Sequence, residues 1–352
     1  MKKIKIGERE IGDHFPCFIV AEIGTNHNAD LCVAKELITV AAAAGADAVK
    51  FQTYHWQDIV HPEIMAADYN YPSDKPWYRI IQERLTMPRE WYPELFAEAR
   101  KQGLIPFSTP HCMDCTKFLL ELGVPVFKIA SMELTNLPFL AELARLGKPV
   151  ILSTGMGDLA EIGRAIQIMK RNGLEEIIIT HCVSLYPPQP QEINLRNIVS
   201  LKQVTGLPVG FSDHSPGTAT SIAGVALGAC LIEKHITLDR QMKGPDHSFA
   251  LEPADLKRLV AEIREVEQAL GSYERKISPA EEAKKKIYRK SVVAARLIPA
   301  GKRIKEEDII ITRPGTGMTP DDLNKVVGLT TVTDFKQYEP LTWEKIKGEQ
   351  LR

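Results

Sequence analysis

From residue 17 onward, short runs of β-branched and apolar residues alternate with stretches whose apolar residues return at helical spacing. The runs are "CFIVAEI" (17–23), "DAVKFQTY" (47–54), "LIPFST" (104–109), "VFKIA" (126–130), "PVILST" (149–154), "IIITHCV" (177–183), "PVGFS" (208–212) and "CLIEKH" (230–235). Between them lie segments such as "NADLCVAKELITVAAAAG" and "DLAEIGRAIQIMKRNG". In the second, Leu159, Ile162, Ala165, Ile166 and Met169 share one helix face and a glycine closes it. Repeated strand-helix units predict a parallel sheet. Eight such runs without a G-x-G-x-x-G turn after the first point to a (β/α)8 TIM barrel rather than an open dinucleotide-binding sheet.

The pattern changes after residue 270. A charged helical connector (271–289) gives way to short strands with frequent turn signals over 290–352, a small, mostly β domain near the size where a core alone is marginal. The barrel therefore occupies 1–270. Its longest insertion, 55–84, follows the second strand, is rich in Tyr, Trp, Pro and His, and holds Asn70 between two tyrosines.

Composition adds exclusions. The 352 residues are 44% hydrophobic and 25% charged, ordinary for a globular protein. A net charge of −1 gives no general attraction to nucleic acid or to an anionic membrane, and neither is expected as a partner. No apolar run reaches the roughly 18 residues of a membrane span, and "MKKIKIGEREIGDHF" lacks the apolar core of a signal peptide, so a cytoplasmic protein is expected. Cys17, Cys182 and Cys230 sit in strand-like runs and no disulfide framework is expected. In "HCMDC", His111, Cys112 and Cys115 could begin a zinc site, but no second pair follows at finger or ribbon spacing, and a loop entering a helix is the preferred reading.

In a barrel of this kind chemistry collects at the C-terminal strand ends. Those ends carry Glu22, Lys50, Gln52, Thr109, Lys128, Ser131, Glu133, Ser153, His181, Ser184, Tyr186, His214, Glu233, Lys234 and His235. Singly, each has a structural reading: a lone strand-end histidine is usually just hydrogen-bonded. Together they exceed what a core needs. Lys50 and Lys128 with Thr109, Ser131, Ser153 and loop amides suit a phosphate, which implies a small phosphorylated substrate. His214 and His235, on adjacent strands with Glu22 near, suit a divalent ion such as Mn²⁺; an imidazole pair also accepts Mg²⁺ less readily, and Zn²⁺, Co²⁺ or Fe²⁺.

The ordered motifs "IVAEIGTNHNADLCVAKELITVAAAAGADAVKFQTY", "PFSTPHCMDCTKFLLELGVPVFKIASMELTNLPFL", "ILSTGMG", "YPPQPQEINLRNI", "GFSDHSPG" and "EKHITLDRQMKGPDHSFALEP" resemble the sialic acid (N-acetylneuraminate) synthases. The tail "KSVVAARLIPAGKRIKEEDIIITRPGTG" resembles their SAF, or antifreeze-like, domain. The resemblance implies condensation of phosphoenolpyruvate with an N-acyl hexosamine, N-acetylmannosamine first, to a nonulosonic acid and phosphate. It makes Lys50, Gln52, Thr109, Lys128, Ser131 and Ser153 the phosphoenolpyruvate binders and His214 and His235 the metal ligands. Glu22 would stabilise charge at carbon 2 or position water, and Glu133 is a second candidate for proton handling. Asp246, Tyr186 and Ser184 would contact the acceptor sugar, and Arg313 would reach it from the partner subunit of a domain-swapped homodimer.

Other readings stay open at this point. A legionaminic, pseudaminic, phosphorylated-sugar or spore-coat synthase would differ only in acceptor; a phosphorylated one would want a basic group near 55–84, where Lys75, Arg79 and Arg84 lie. A metal-dependent aldolase would use Lys50 or Lys128 as a Schiff base. A carbohydrate- or ice-binding protein would make the tail its active part, yet the tail has no flat repetitive threonine face.

Overall fold

A computed structural model describes residues 3–69 and 71–347, so Asn70 lies outside the described residues. The chain divides into two compact units, one ending at Gly271 and one beginning at Ser272.

The first unit opens with a hairpin, β1 (Ile4–Ile6) and β2 (Arg9–Ile11), paired antiparallel. Ile4, Ile6 and Ile11 are buried in the main core. A Cβ at Gly7, in the hairpin turn at φ +58°, would meet Ile105 at the start of a barrel strand, so the hairpin lies at the N-terminal end of the barrel.

Eight parallel strands then close a barrel: β3 (Phe18–Gly24), β4 (Ala48–Thr53), β5 (Ile105–Pro110), β6 (Phe127–Ile129), β7 (Val150–Ser153), β8 (Ile177–Cys182), β9 (Val209–Asp213) and β10 (Leu231–His235), with β10 pairing back onto β3. Every residue of β3, β7, β8 and β10 is buried, as strands covered on both faces require. The predicted fold is thus the observed one. Helices between the strands show their expected stops and starts: Asp158 and Glu161 form a reciprocal capping box on Leu159–Arg171, and Gly45 ends Leu31–Ala44 at φ +83°.

The insertion after β4 folds on itself. Tyr54, Ala66, Trp77, Ile80, Ile81 and Leu85 make a small separate core, with Tyr69 stacked on Trp77 at 4.8 Å.

The second unit carries the connector helix Pro279–Tyr288, capped by Ser278, and two antiparallel pairs: β11 (Ser291–Ala294) with β12 (Ile309–Thr312), and β13 (Thr330–Thr331) with β14 (Ile346–Lys347). Val292, Ala294, Ile298, Ile304, Phe335 and Leu341 form its own core. Asp308, buried beneath it, is held by Lys302 at 2.7 Å and Arg296 at 3.3 Å.

Candidate active site

Strand alternation decides which side chains enter the barrel mouth. Residues two apart share a face, so Glu22 of β3, Lys50 and Gln52 of β4, Lys128 of β6, and Glu233 and His235 of β10 converge. Lys50 Nζ lies 2.8 Å from Glu22 Oε2, 3.9 Å from Glu233 Oε1 and 2.9 Å from Thr109 Oγ1. Lys128 Nζ lies 3.2 Å from Glu233 Oε1 and donates to Ser153 Oγ at 2.6 Å. Two buried ammonium groups thus share the Glu233 carboxylate, Lys50 pairs with Glu22 as well, and each lysine donates to one hydroxyl.

The charges shift each other. Burial pushes the Glu22 carboxyl up to about 7, Lys50 pulls against that and Glu233 adds to it. Burial alone would lower Lys50, but Glu22 and Glu233 outweigh it and raise the ammonium above its ordinary value. Burial opposes ionisation of Glu233 too, yet Lys128 and Lys50 hold it below the usual carboxylate range. Gln52 Nε2 donates to Glu22 Oε1 at 3.0 Å and fixes that carboxyl's orientation.

Next to the ammonium pair is a hydroxyl-lined turn. Gly155 N donates to Ser131 Oγ at 3.0 Å. A Cβ at Gly155 would fall 2.3 Å from Ser184 Oγ and 2.7 Å from Ser131 Oγ, so only glycine leaves room between these hydroxyls. Ser184, expected against the acceptor sugar, therefore stands on the Ser131 side of the mouth.

The two histidines meet as expected. Their ring centroids are 5.5 Å apart, with Phe249 5.3 Å from His235 and Tyr186 4.3 Å from His214. His214 Nδ1 bonds the Val183 carbonyl at 2.9 Å, which fixes the Nδ1–H tautomer and leaves Nε2 a free lone pair. Burial lowers the His214 imidazole to about 4 and His235 well below its ordinary value, so both are neutral near pH 7. Asp246 returns on the loop after β10, with Oδ2 3.6 Å from His235 Nδ1 and accepting from Thr25 Oγ1 at 3.0 Å. Burial raises its carboxyl to about 6.

Glu133 stands apart from this group. Its Oε1 lies 3.4 Å from His111 Nδ1 and its Oε2 accepts from Asn136 at 2.8 Å. Arg313 belongs to the second unit, exposed, with its guanidinium 5.2 Å over the Tyr288 ring.

Buried polar groups are normally hydrogen-bonded. Among the described residues, buried atoms without a hydrogen-bond partner include Glu22 Oε2, Glu233 Oε2, Ser184 Oγ, His235 Nδ1 and His111 Nδ1, all at the C-terminal ends of barrel strands. Glu22 Oε2 touches Lys50, but off the hydrogen-bond direction. Such a set of open valences at one mouth is the signature of a ligand site.

Sequence reasoning saw Glu233 at a strand end but gave it no role; the two-residue period that placed His235 inward places Glu233 inward as well. It also missed the opposite face of β10, where buried Lys234 bonds Asp213 Oδ2 at 2.8 Å while Ser221 and Thr220 donate to the same carboxylate. His247 is structural, bonded to Thr237 at 2.7 Å and Asn28 at 3.2 Å.

Known proteins resemble the chain along most of its length. The NeuB family matches residues 37–275 and the SAF domain residues 289–347. The chain is 40% identical to an N,N'-diacetyllegionaminic acid synthase of Campylobacter jejuni over 91% of this chain and 97% of that one. It is 37% identical to the human N-acetylneuraminate-9-phosphate synthase over 96% and 95%. A crystal structure of N-acetylneuraminic acid synthetase from Leptospira borgpetersenii serovar Hardjo-bovis, in complex with citrate, superposes with a TM-score of 0.73 at 33% identity, covering 80% of this chain and 95% of that chain. With relatives alike along nearly its whole length, a closed (β/α)8 barrel and a trailing SAF domain, the chain belongs to the NeuB family.

Proposed function

We propose that the barrel mouth condenses phosphoenolpyruvate with the open-chain form of an N-acyl hexosamine, giving a nonulosonic acid and inorganic phosphate. The observation that carries this reading is the buried Lys50–Lys128 pair with Thr109, Ser153, Ser131 and the Gly155 turn. It offers cationic and hydroxyl donors, all on buried residues or beside them, to a compact, multiply charged anion. N-acetylmannosamine is the first acceptor to test. The legionaminic, pseudaminic and phosphorylated-sugar synthases of the same family are chemically equivalent alternatives.

The reaction forms one carbon–carbon bond and breaks one carbon–oxygen bond. Carbon 3 of phosphoenolpyruvate attacks the aldehyde carbon, positive charge develops at carbon 2, and water adds there. The carbon 2–oxygen bond to phosphorus then breaks, leaving a ketone. The two water protons end on the new sugar hydroxyl and on phosphate. Glu22, as carboxylate, stabilises the charge at carbon 2 and takes the water proton on Oε2, the oxygen with no aligned donor, while Gln52 holds Oε1. Lys50 and Lys128 exchange their carboxylate contacts for substrate oxygens. Asp246 and Tyr186, with Arg313 of a domain-swapped partner subunit, hold the sugar. Glu133 orients His111 at the rim and is the second candidate for proton transfer.

A divalent ion, Mn²⁺ first, fits His214 and His235. Both imidazoles are neutral, His235 Nδ1 is buried without a partner, and Asp246 stands beside it as a carboxylate. When bound there, such an ion supplies Lewis-acid polarisation of an aldehyde oxygen.

A Schiff-base aldolase fits less well, because Lys50 is held as an ammonium and not as the free amine that imine formation needs. Glu22→Gln tests the proposal. Turnover should fall by about 10²–10⁴-fold while phosphoenolpyruvate affinity, read by calorimetry, changes little. Retained turnover would remove Glu22 from the chemistry, and borohydride trapping of a lysine adduct would replace the mechanism.

A further inference from the structure

Two βα loops at the rim of the barrel bring together residues that the proposed reaction does not use. His55 is the N-cap of the short helix Trp56–Ile59 at the start of the insertion after β4, and Asp58 lies within that helix. Cys112 and Cys115 lie at the start of the helix Met113–Glu121 that follows β5. One donor atom from each of these four residues lies within 4.8 Å of the others. The pair that the C-x-x-C spacing lacked downstream is thus supplied from upstream, and His111 is not part of it: its ring packs edge-on to Tyr54 and its Nδ1 faces Glu133.

We propose that His55, Asp58, Cys112 and Cys115 form a binding site for a thiophilic divalent cation of the zinc class, separate from the barrel-mouth ion. Two thiolates, an imidazole and a carboxylate are a soft, tetrahedral donor set, and bond lengths of about 2.0–2.3 Å place such donors roughly 3.5 Å apart. The present spread needs only a small contraction.

The surroundings are built for thiolates. Cys112 is the N-cap of its helix, and its Sγ accepts from the Cys115 amide at 3.3 Å. An Asp58 carboxylate oxygen lies within 4.8 Å of Cys112 Sγ, and a metal bound between them would displace the thiol proton. Around a divalent ion, two thiolates and Asp58 leave one negative charge, and the Arg89 guanidinium stands 3.9 Å from Cys115 Sγ to offset it. Asp114 Oδ2, paired with Arg89, lies 3.0 Å from His55 Nε2, and Arg89 Nη2 lies 3.1 Å from the same nitrogen. With Nε2 engaged by this pair, Nδ1 would be the ligating nitrogen, and a carboxylate on the other ring nitrogen orients a ligating histidine. Asp114 is a positioning residue here. Bound metal would tie the insertion, which otherwise rests on its own small core, to the loop directly after Thr109.

The test is metal analysis and cobalt titration of the full chain, freed of any affinity tag, with zinc and cobalt as probes. Wild type should retain zinc through dialysis and, on cobalt replacement, give a thiolate-to-cobalt charge-transfer band. His235→Ala, which disables the barrel-mouth site, should keep both. Cys112→Ser/Cys115→Ser should lose both. His55→Ala and Asp58→Ala, at exposed positions that leave the barrel core untouched, should each weaken zinc binding at least about tenfold, and Asp114→Asn by about 10–100-fold, with melting of the apoprotein unchanged. Absence of the charge-transfer band in His235→Ala, or equal metal content in the double cysteine variant and wild type, would overturn the proposal.

Discussion

Glu22 is pulled in opposite directions by burial, which favours the acid, and by Lys50, which favours the carboxylate; the outcome is a carboxyl at about 7. If its carboxylate form takes the water proton, kcat/KM should rise with pH and level off above about 7, because protonation below that value removes the base. That limb should vanish in the residual activity of Glu22→Gln; a profile unchanged by the substitution would contradict the role. Beneath the site, Lys234 depends on Asp213 for its counter-charge, and Asp213→Asn leaves a buried ammonium uncompensated. Such a loss costs about 3–5 kcal/mol, to be read from denaturant unfolding, and a change within error would mean that solvent reaches this pair. At this scale the sequence was legible where a polar residue interrupts an apolar run, as Lys50 and Lys128 do. It was silent on partners: nothing in "CLIEKH" says that Glu233 faces the lysines while Lys234 turns to Asp213, unless the strand period is applied to every residue.

The elements were legible where their period is long and clean. Eight strands and the helix Leu159–Arg171 follow from alternation and caps, although β6 is only three residues, Phe127–Ile129, shorter than its apolar run. Three-residue strands give little periodicity, which hides the hairpin β1–β2 in the sequence; yet Ile4 and Ile6 alternate as buried strand positions do, and Ile11 is buried opposite Ile4. The insertion hid its own core because its apolar residues match neither period. At the turn after β7, Gly155 has an ordinary φ, so the objection to a side chain there is space rather than backbone strain. Gly155→Ala should displace Ser131 and Ser184 and lower kcat/KM by about 100-fold with little change in melting temperature. Activity near wild type would show that these hydroxyls do not contact substrate.

For the whole molecule, the two units carry separate cores, and the SAF domain enters the proposed chemistry only through Arg313 of a partner subunit. Complementation tests this. Arg313→Ala and Glu22→Gln chains, each inactive alone, should regain roughly a quarter of wild-type activity when denatured and refolded together, since random pairing makes half the dimers mixed and gives each one intact site. No recovery would place Arg313 in its own subunit's site or outside the reaction. The central claim is tested most directly by supplying phosphoenolpyruvate labelled with ¹⁸O at the bridging oxygen, a divalent ion, and a panel of N-acyl hexosamines. The account predicts that one acceptor yields nonulosonic acid and phosphate in equal amounts, with the label in the phosphate. Phosphate release with none of the acceptors, or label left in the sugar product, would contradict it.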